Sequence, residues 1–165
     1  MNLYPDAYLK NVKEITLDFL NKNNIKGLIL DIDNTLIDYD KELLEGTKEW
    51  CENLKQGNIK LCIVSNTNKV KKVEKVAKTL DLEYIYFSHK PSKKAFYKGQ
   101  KLLGLEANQI AVVGDQVFTD VFGGNRVGMF TILTEPIDKR DIAITKIKRP
   151  FEKIVIKSYL KQRRK

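Results

Sequence analysis

The stretch Leu28 to Asp38 reads LILDIDNTLID, an apolar run that ends in Asp31 and Asp33. Burying a carboxylate is costly unless something pairs with it, so acid at the tip of a buried segment points to a partner. Three later runs end in a related way: one in Ser65-Asn66-Thr67, one in His89-Lys90-Pro91, and one in Gly114-Asp115 with Asp120 soon after. Strands of an open parallel sheet share one crevice at their carboxyl ends. If these runs are such strands, carboxylates, a hydroxyl and an ammonium gather there.

That set suits phosphoryl transfer. Asp31 can attack phosphorus as a nucleophile, giving an aspartyl-phosphate that water hydrolyses, so one hard step becomes two easier ones. Asp33, two residues on, projects to the same side if the extended geometry persists, and can protonate the leaving oxygen and then activate the water. Ser65 can donate to a phosphoryl oxygen, Asn66 beside it is a further phosphate-binding candidate, and Lys90 can balance charge on the nucleophile and the transition state. Four carboxylates this close repel one another and an incoming phosphate, so they imply a cation, and hard oxygen ligands point to Mg2+. Asp31 and Asp115 are the natural direct ligands, with a backbone carbonyl at Asp33 and an outer role for Asp120. Taken singly, DIDNT is a strand end with a cap, Ser65 a turn residue and Lys90 a solvated lysine. Their order at successive strand ends favours the joint reading.

The elements that must position these groups follow from hydrophobic pattern. From Gly27 onward short β-branched runs alternate with stretches of helical period, the signature of an α/β fold with a central parallel sheet covered by helices. The strands fall at Gly27 to Asp31, Lys60 to Ser65, Glu83 to Phe87, Gln109 to Gly114 and Met129 to Leu133. Helices fall near Glu45 to Gln56, Lys69 to Leu80, Lys93 to Leu103 and Val117 to Arg126. Gly57 and Gly104 are expected to close two of them in the left-handed conformation. The N-terminal segment with Val12, Ile15, Leu17 and Phe19 reads as a helix leading into the first strand. The C-terminal stretch RPFEKIVIKSYLKQRRK places Pro150 at a helix N1 position and Phe151, Ile154, Val155 and Tyr159 near one face. That face can pack on the domain or lie on an anionic surface.

With 165 residues, 42% hydrophobic and 31% charged, the chain suits one soluble domain. No apolar run approaches the roughly 20 residues that span a bilayer, and the N-terminus lacks the apolar core of a signal peptide, which leads to an expected cytoplasmic location. His89 is the only histidine, and Cys51 and Cys62 sit in apolar patterns, so a His/Cys zinc site is excluded and both thiols are expected reduced and packed. The net charge of +9 favours anionic partners: nucleic acid, phospholipid headgroups or phosphorylated substrates. The run NKVKKVEKVAKTL reads as the solvated face of a helix with Val70, Val73, Val76, Ala77 and Leu80 inward.

The chain resembles the haloacid dehalogenase (HAD) superfamily of phosphohydrolases over Gly27 to Leu133. The family's DxDxT/V motif falls on DIDNT, its second-motif Ser/Thr on Ser65, its third-motif lysine on Lys90, and its GDxxxxD motif on GDQVFTD. The resemblance implies a three-layer Rossmannoid fold, Asp31 as nucleophile, Asp33 as general acid/base and Mg2+ as cofactor. Lys93 and Lys94 compete for the lysine role, but they fall in the following helix, whereas Lys90 stands in a KP dipeptide as in family members. Dehalogenases of the superfamily lack the second aspartate and P-type ATPases carry threonine there, so Asp33 favours a phosphatase. About thirty residues separate DIDNT from Ser65 and about twenty-five separate Ser65 from Lys90, room for one crossover helix and strand each and for no cap domain. The arrangement is similar to the capless IIIA, YqeG-type phosphatases, related to the mitochondrial phosphatidylglycerophosphate phosphatases, which makes that lipid an expected substrate. Other phosphate esters, of nucleotides, nucleic-acid ends or phosphoproteins, are the alternatives. A receiver-like signalling module would place Ser/Thr and Lys after the phosphorylated Asp, whereas Ser65 and Lys90 precede Asp115. A binding protein using its basic surfaces for RNA or membrane remains compatible as an added role.

Overall fold

The computed structural model describes residues 2–140 and 143–164. Six strands form one parallel sheet in the order β1-β6-β5-β2-β3-β4. They are β1 (Ala7–Leu9), β2 (Gly27–Leu30), β3 (Lys60–Val64), β4 (Glu83–Ile85), β5 (Ile110–Gly114) and β6 (Phe130–Thr134). The helices are α1 (Leu17–Lys22), α2 (Thr47–Gln56), α3 (Val70–Leu80), α4 (Lys93–Leu103), α5 (Phe122–Arg126) and α6 (Ala143–Arg163).

Alternation along each strand builds three layers, because successive side chains point to opposite faces. Leu28 and Leu30 of β2 join Ile63, Ala111 and Val113 on the face covered by α2 and α3, through Trp50, Cys51, Leu54, Val73, Val76 and Leu80. Ile29, Cys62, Val64 and Val112 turn to the other face, where Ala95, Phe96 and Leu103 of α4 lie. Strand β2 is fully buried, and the chain runs from it to β3 and β4 on one side, then to β5 and β6 on the other. The carboxyl ends of β2 and β5 therefore flank the point where the strand order reverses, the usual crevice for a ligand. Between β2 and β3 the described chain holds only the loop 31–46 and α2, so no cap domain is inserted there.

Several expectations are corrected. The N-terminal segment is no single helix. It opens with edge strand β1 on β6, passes through a 3-10 turn at Val12–Glu14 and enters α1, whose Thr16 hydroxyl accepts from Phe19 N–H at 3.1 Å. Extended backbone at Ile15 and the Thr16 cap break the helical period. Gly57 closes α2 but at φ −80°, and Asn58 takes the left-handed position at φ 64°. Gly57 serves close approach instead, since a Cβ there would meet Leu17. Gly104 does adopt φ 63°. The segment Val117 to Arg126 is a π-helical turn, Val117–Val121, followed by α5. Pro150 lies inside α6 rather than at its start. Phe151 and Ile154 are 62% and 65% exposed, while Glu152 and Tyr159 are buried. Val155 and Ile156 pack against Val117, Val121 and Leu133, so the inward face of α6 joins Val155, Ile156 and Tyr159 to Glu152 and leaves Phe151 and Ile154 outside it.

Cys51 and Cys62 are free, buried thiols that burial pushes up to about 12. They stay protonated and serve as core.

Candidate active site

Asp31 follows the last residue of β2, and its N–H donates to Val113 O at 2.9 Å, so the ladder to β5 holds the backbone up to the carboxylate. Asp115 follows β5 directly. The π-turn then swings Asp120 back toward the strand end, its N–H donating to Gln116 O at 3.0 Å and its Oδ2 accepting from Gln116 N at 3.2 Å. Gly114 permits the return, because a Cβ there would run into the Asp120 carboxylate. One carboxylate oxygen each from Asp31, Asp115 and Asp120 lie within 4.8 Å of one another, and all three residues are buried.

Lys90 enters between them. Its Nζ donates to Asp31 Oδ1 at 3.0 Å and to Asp120 Oδ1 at 2.7 Å. Asn66 holds the backbone that carries it: the side-chain oxygen accepts from Lys90 N at 2.6 Å, and the amide donates to Lys90 O at 3.0 Å. The Asn66 side chain is thus committed to the Lys90 loop. Ser65 is fully buried at the end of β3 with its Oγ accepting from Thr67 N at 3.3 Å. Lys93 and Lys94, the rivals for the lysine role, are exposed in the first turn of α4.

Asp33 stands apart from the buried triad. It is half-buried, and its Oδ1 accepts from Lys72 Nζ of α3 at 2.6 Å. The remaining partner comes from α6: Arg149 donates to Asp115 Oδ2 at 2.5 Å, to Asp115 O at 3.0 Å and to Glu152 Oε2 at 3.2 Å. Glu152 in turn faces Phe118 N of the π-turn at 3.5 Å. Sequence reasoning did not single out Lys72, Arg149 or Glu152. Lys72 sits in a lysine-rich helical face, Arg149 in a basic tail 34 positions past Asp115, and neither carries a local motif.

The electrostatics fit a divalent cation. Asp31, Asp115, Asp120 and Glu152 are four buried carboxylates paired with two cations, Lys90 and Arg149, so full ionisation leaves two uncompensated negative charges. Burial pushes the Asp31 carboxyl up to about 7 against the pull of Lys90, with Asp120 and Asp33 adding to the rise. Burial and then the charge of Asp31 push Asp115 up to about 8 against Arg149. Burial opposes the charge of Lys90, yet Asp120 and Asp31 hold it above its usual value. Asp115 Oδ1 is buried with no hydrogen-bond partner, an orphaned acceptor of the kind a metal ion satisfies. Three hard oxygen donors, an excess of two negative charges and this orphaned oxygen together suit Mg2+.

Residues 1–138 match the family described as Mitochondrial PGP phosphatase. The chain is 39% identical over 153 residues to Probable phosphatase YqeG of Bacillus subtilis, covering 92% of this chain and 88% of that protein. It is 28% identical over 148 residues to phosphatidylglycerophosphate phosphatase 1 of Arabidopsis thaliana, covering 83% of this chain but only 42% of the plant protein. Among solved structures, a Legionella pneumophila protein described as a HAD superfamily, subfamily III A, hydrolase superposes with TM-score 0.52 at 22% identity, covering 73% of this chain and 71% of that one. With a parallel sheet that delivers three aspartates and a lysine to one crevice, a fold shared with that hydrolase, the chain belongs to the Mitochondrial PGP phosphatase family together with the YqeG protein it resembles.

Proposed function

We propose that the protein hydrolyses a phosphate monoester by way of an aspartyl-phosphate on Asp31, with Mg2+ as cofactor. The observation that carries this reading is the convergence of Asp31, Asp115 and Asp120 around Lys90. An Asp31 carboxylate oxygen attacks phosphorus, the phosphorus–oxygen ester bond breaks, and Asp33 gives its proton to the leaving oxygen. Asp33, now ionised, takes a proton from water as the water oxygen attacks phosphorus, which releases inorganic phosphate and restores Asp31.

Lys90 neutralises Asp31 before attack and faces the charge that builds on the phosphoryl oxygens. Ser65 donates to one of those oxygens. Asn66 contributes by holding the Lys90 backbone in place, with phosphate contact as its sequence-based alternative. Asp31 and Asp115, with the backbone carbonyl of Asp33, would hold the metal directly. Both oxygens of Asp120 already accept hydrogen bonds, from Lys90 and from Gln116, which favours an outer role for it. Bound Mg2+ supplies charge neutralisation and orientation for the phosphoryl group.

Phosphatidylglycerophosphate is the substrate that the Arabidopsis relative's name supports. The net charge of +9 and the exposed Phe151 and Ile154, set among the lysines of α6, suit peripheral contact with an anionic bilayer from the cytoplasmic side. No described helix is long and apolar enough to cross a membrane.

The test is hydrolysis of p-nitrophenyl phosphate, a nucleoside monophosphate and phosphatidylglycerophosphate with Mg2+ and with EDTA. Native protein turns over in Mg2+ alone, and Asp31→Asn loses turnover while its circular dichroism is retained. Full activity in Asp31→Asn would remove the nucleophile assignment, and equal rates on lipid and nucleotide esters would remove the substrate.

A further inference from the structure

A cavity of about 360 Å³ is lined by none of the buried triad and joins the site through Asp33 and the following Asn34. Its other walls come from three segments, the rest of the loop after β2, the start of α3 and the stretch after β6 that carries Arg140. Four cations line it, Lys41, Lys69, Lys72 and Arg140, against the carboxylates of Asp33 and Asp38.

The pairing of these cations is uneven. Arg140 is tied to Asp138 and Asp40 and lies 4.9 Å over the Tyr39 ring, and Lys72 is tied to Asp33. Lys41 and Lys69 are exposed, and neither ammonium has a carboxylate partner among the described residues. The loop is built to present Lys41. Its φ of 66° is in the left-handed region, fixed by a turn in which Lys41 N donates to Asp38 O at 3.1 Å. A bridge between Ile37 and Leu43 pins the loop's base.

Resting on the phosphatase reading above, we infer that this cavity receives the leaving group, and that the leaving group carries a second anion, a phosphate or phosphodiester, which Lys41 and Lys69 bind. Asp33 must reach the departing oxygen to protonate it, so whatever is attached to that oxygen continues into the space that Asp33 lines. A neutral or apolar leaving group would meet two unpaired ammonium groups and a paired guanidinium there. An anionic one supplies the missing counter-charge.

The experiment compares propyl phosphate, propane-1,3-diyl bisphosphate and a soluble dihexanoyl phosphatidylglycerophosphate as Mg2+-dependent substrates of the native full chain and of Lys41→Gln/Lys69→Gln. The native protein is expected to favour both doubly anionic substrates in kcat/KM, with a preference that shrinks as salt rises. The double variant is expected to reduce that preference about 2- to 30-fold, the effect of two exposed charge pairs. Loss on the bisphosphate but not on the diester assigns the subsite to a terminal phosphate, and the reverse pattern assigns it to a phosphodiester. A preference untouched by the double variant, or no preference in the native protein, overturns the subsite and leaves the phosphatase reading standing. Hydrolysis of none of the three overturns both.

Discussion

Arg149→Ala probes the contact that joins α6 to the active site. The guanidinium pairs with Asp115 and Glu152, whose side chains are 1% and 3% exposed, and is itself only 13% exposed. Removing one partner of a buried ion pair leaves an uncompensated charge and costs about 3–5 kcal/mol. With an unfolding entropy of about 2.1 cal/mol/K per residue, on the order of 350 cal/mol/K for this chain, that cost lowers Tm by about 9–14 °C. This drop is expected in EDTA by calorimetry or thermal circular dichroism. Saturating Mg2+ should recover a large part of it, because a cation on Asp115 Oδ1 supplies the compensation that Arg149 otherwise gives through Oδ2. Arg149→Lys retains the charge without the two-pronged geometry and should fall between the native protein and the alanine variant. An Arg149→Ala Tm within 2 °C of native in EDTA would refute the argument that the pair is energetically engaged. An equal deficit in EDTA and in Mg2+ would refute the argument that Arg149 and the metal share Asp115.

Two further outcomes follow from the same cluster. In the metal-free protein Asp31 and Asp115 are raised to about 7 and about 8, so the folded state binds more protons than the unfolded chain. That contribution to stability is fully present below the unfolded carboxylate value and is lost as pH rises through 7 to 8. The urea midpoint in EDTA should therefore fall between pH 5.5 and pH 8.5, by less in Asp115→Asn and in excess Mg2+, and a native midpoint that rises over this range would contradict the assignment. Gly114→Ala places a methyl group against the Asp120 carboxylate, so about 1–3 kcal/mol of stability should be lost. Mg2+ affinity measured by calorimetry should fall with it, and unchanged affinity would show that Asp120 plays no part in shaping the site.

Much of the site was legible in the sequence because its chemistry is carried by local motifs. The spacing of DIDNT, Ser65, Lys90 and GDQVFTD places each group at a strand end, and strand ends of one parallel sheet converge whatever the details of packing. Lys90 is preferred over Lys93 and Lys94 from its KP dipeptide past a strand and from the helix that holds the other two, and the structure buries Lys90 while exposing them. Edge strand β1 escaped notice because three residues, AYL, carry too short a pattern to register. The inward face of α6 was legible in part: of the four residues that apolar spacing groups together, Val155 and Tyr159 pack inward, while Phe151 and Ile154 are exposed and the buried Glu152 with its Arg149 partner completes the face.

The amino-acid sequence by itself therefore determines the layers of the fold, the order of the chemical groups and their reaction class, since hydrophobic period and short motifs are properties of neighbouring residues. Tertiary structure alone decides how the charges are balanced. Lys72 meets Asp33 across 39 positions of chain, Lys90 meets Asp31 across 59, and Arg149 meets Asp115 across 34. Pairing free energy depends on distance and burial in space, and no local spacing encodes either.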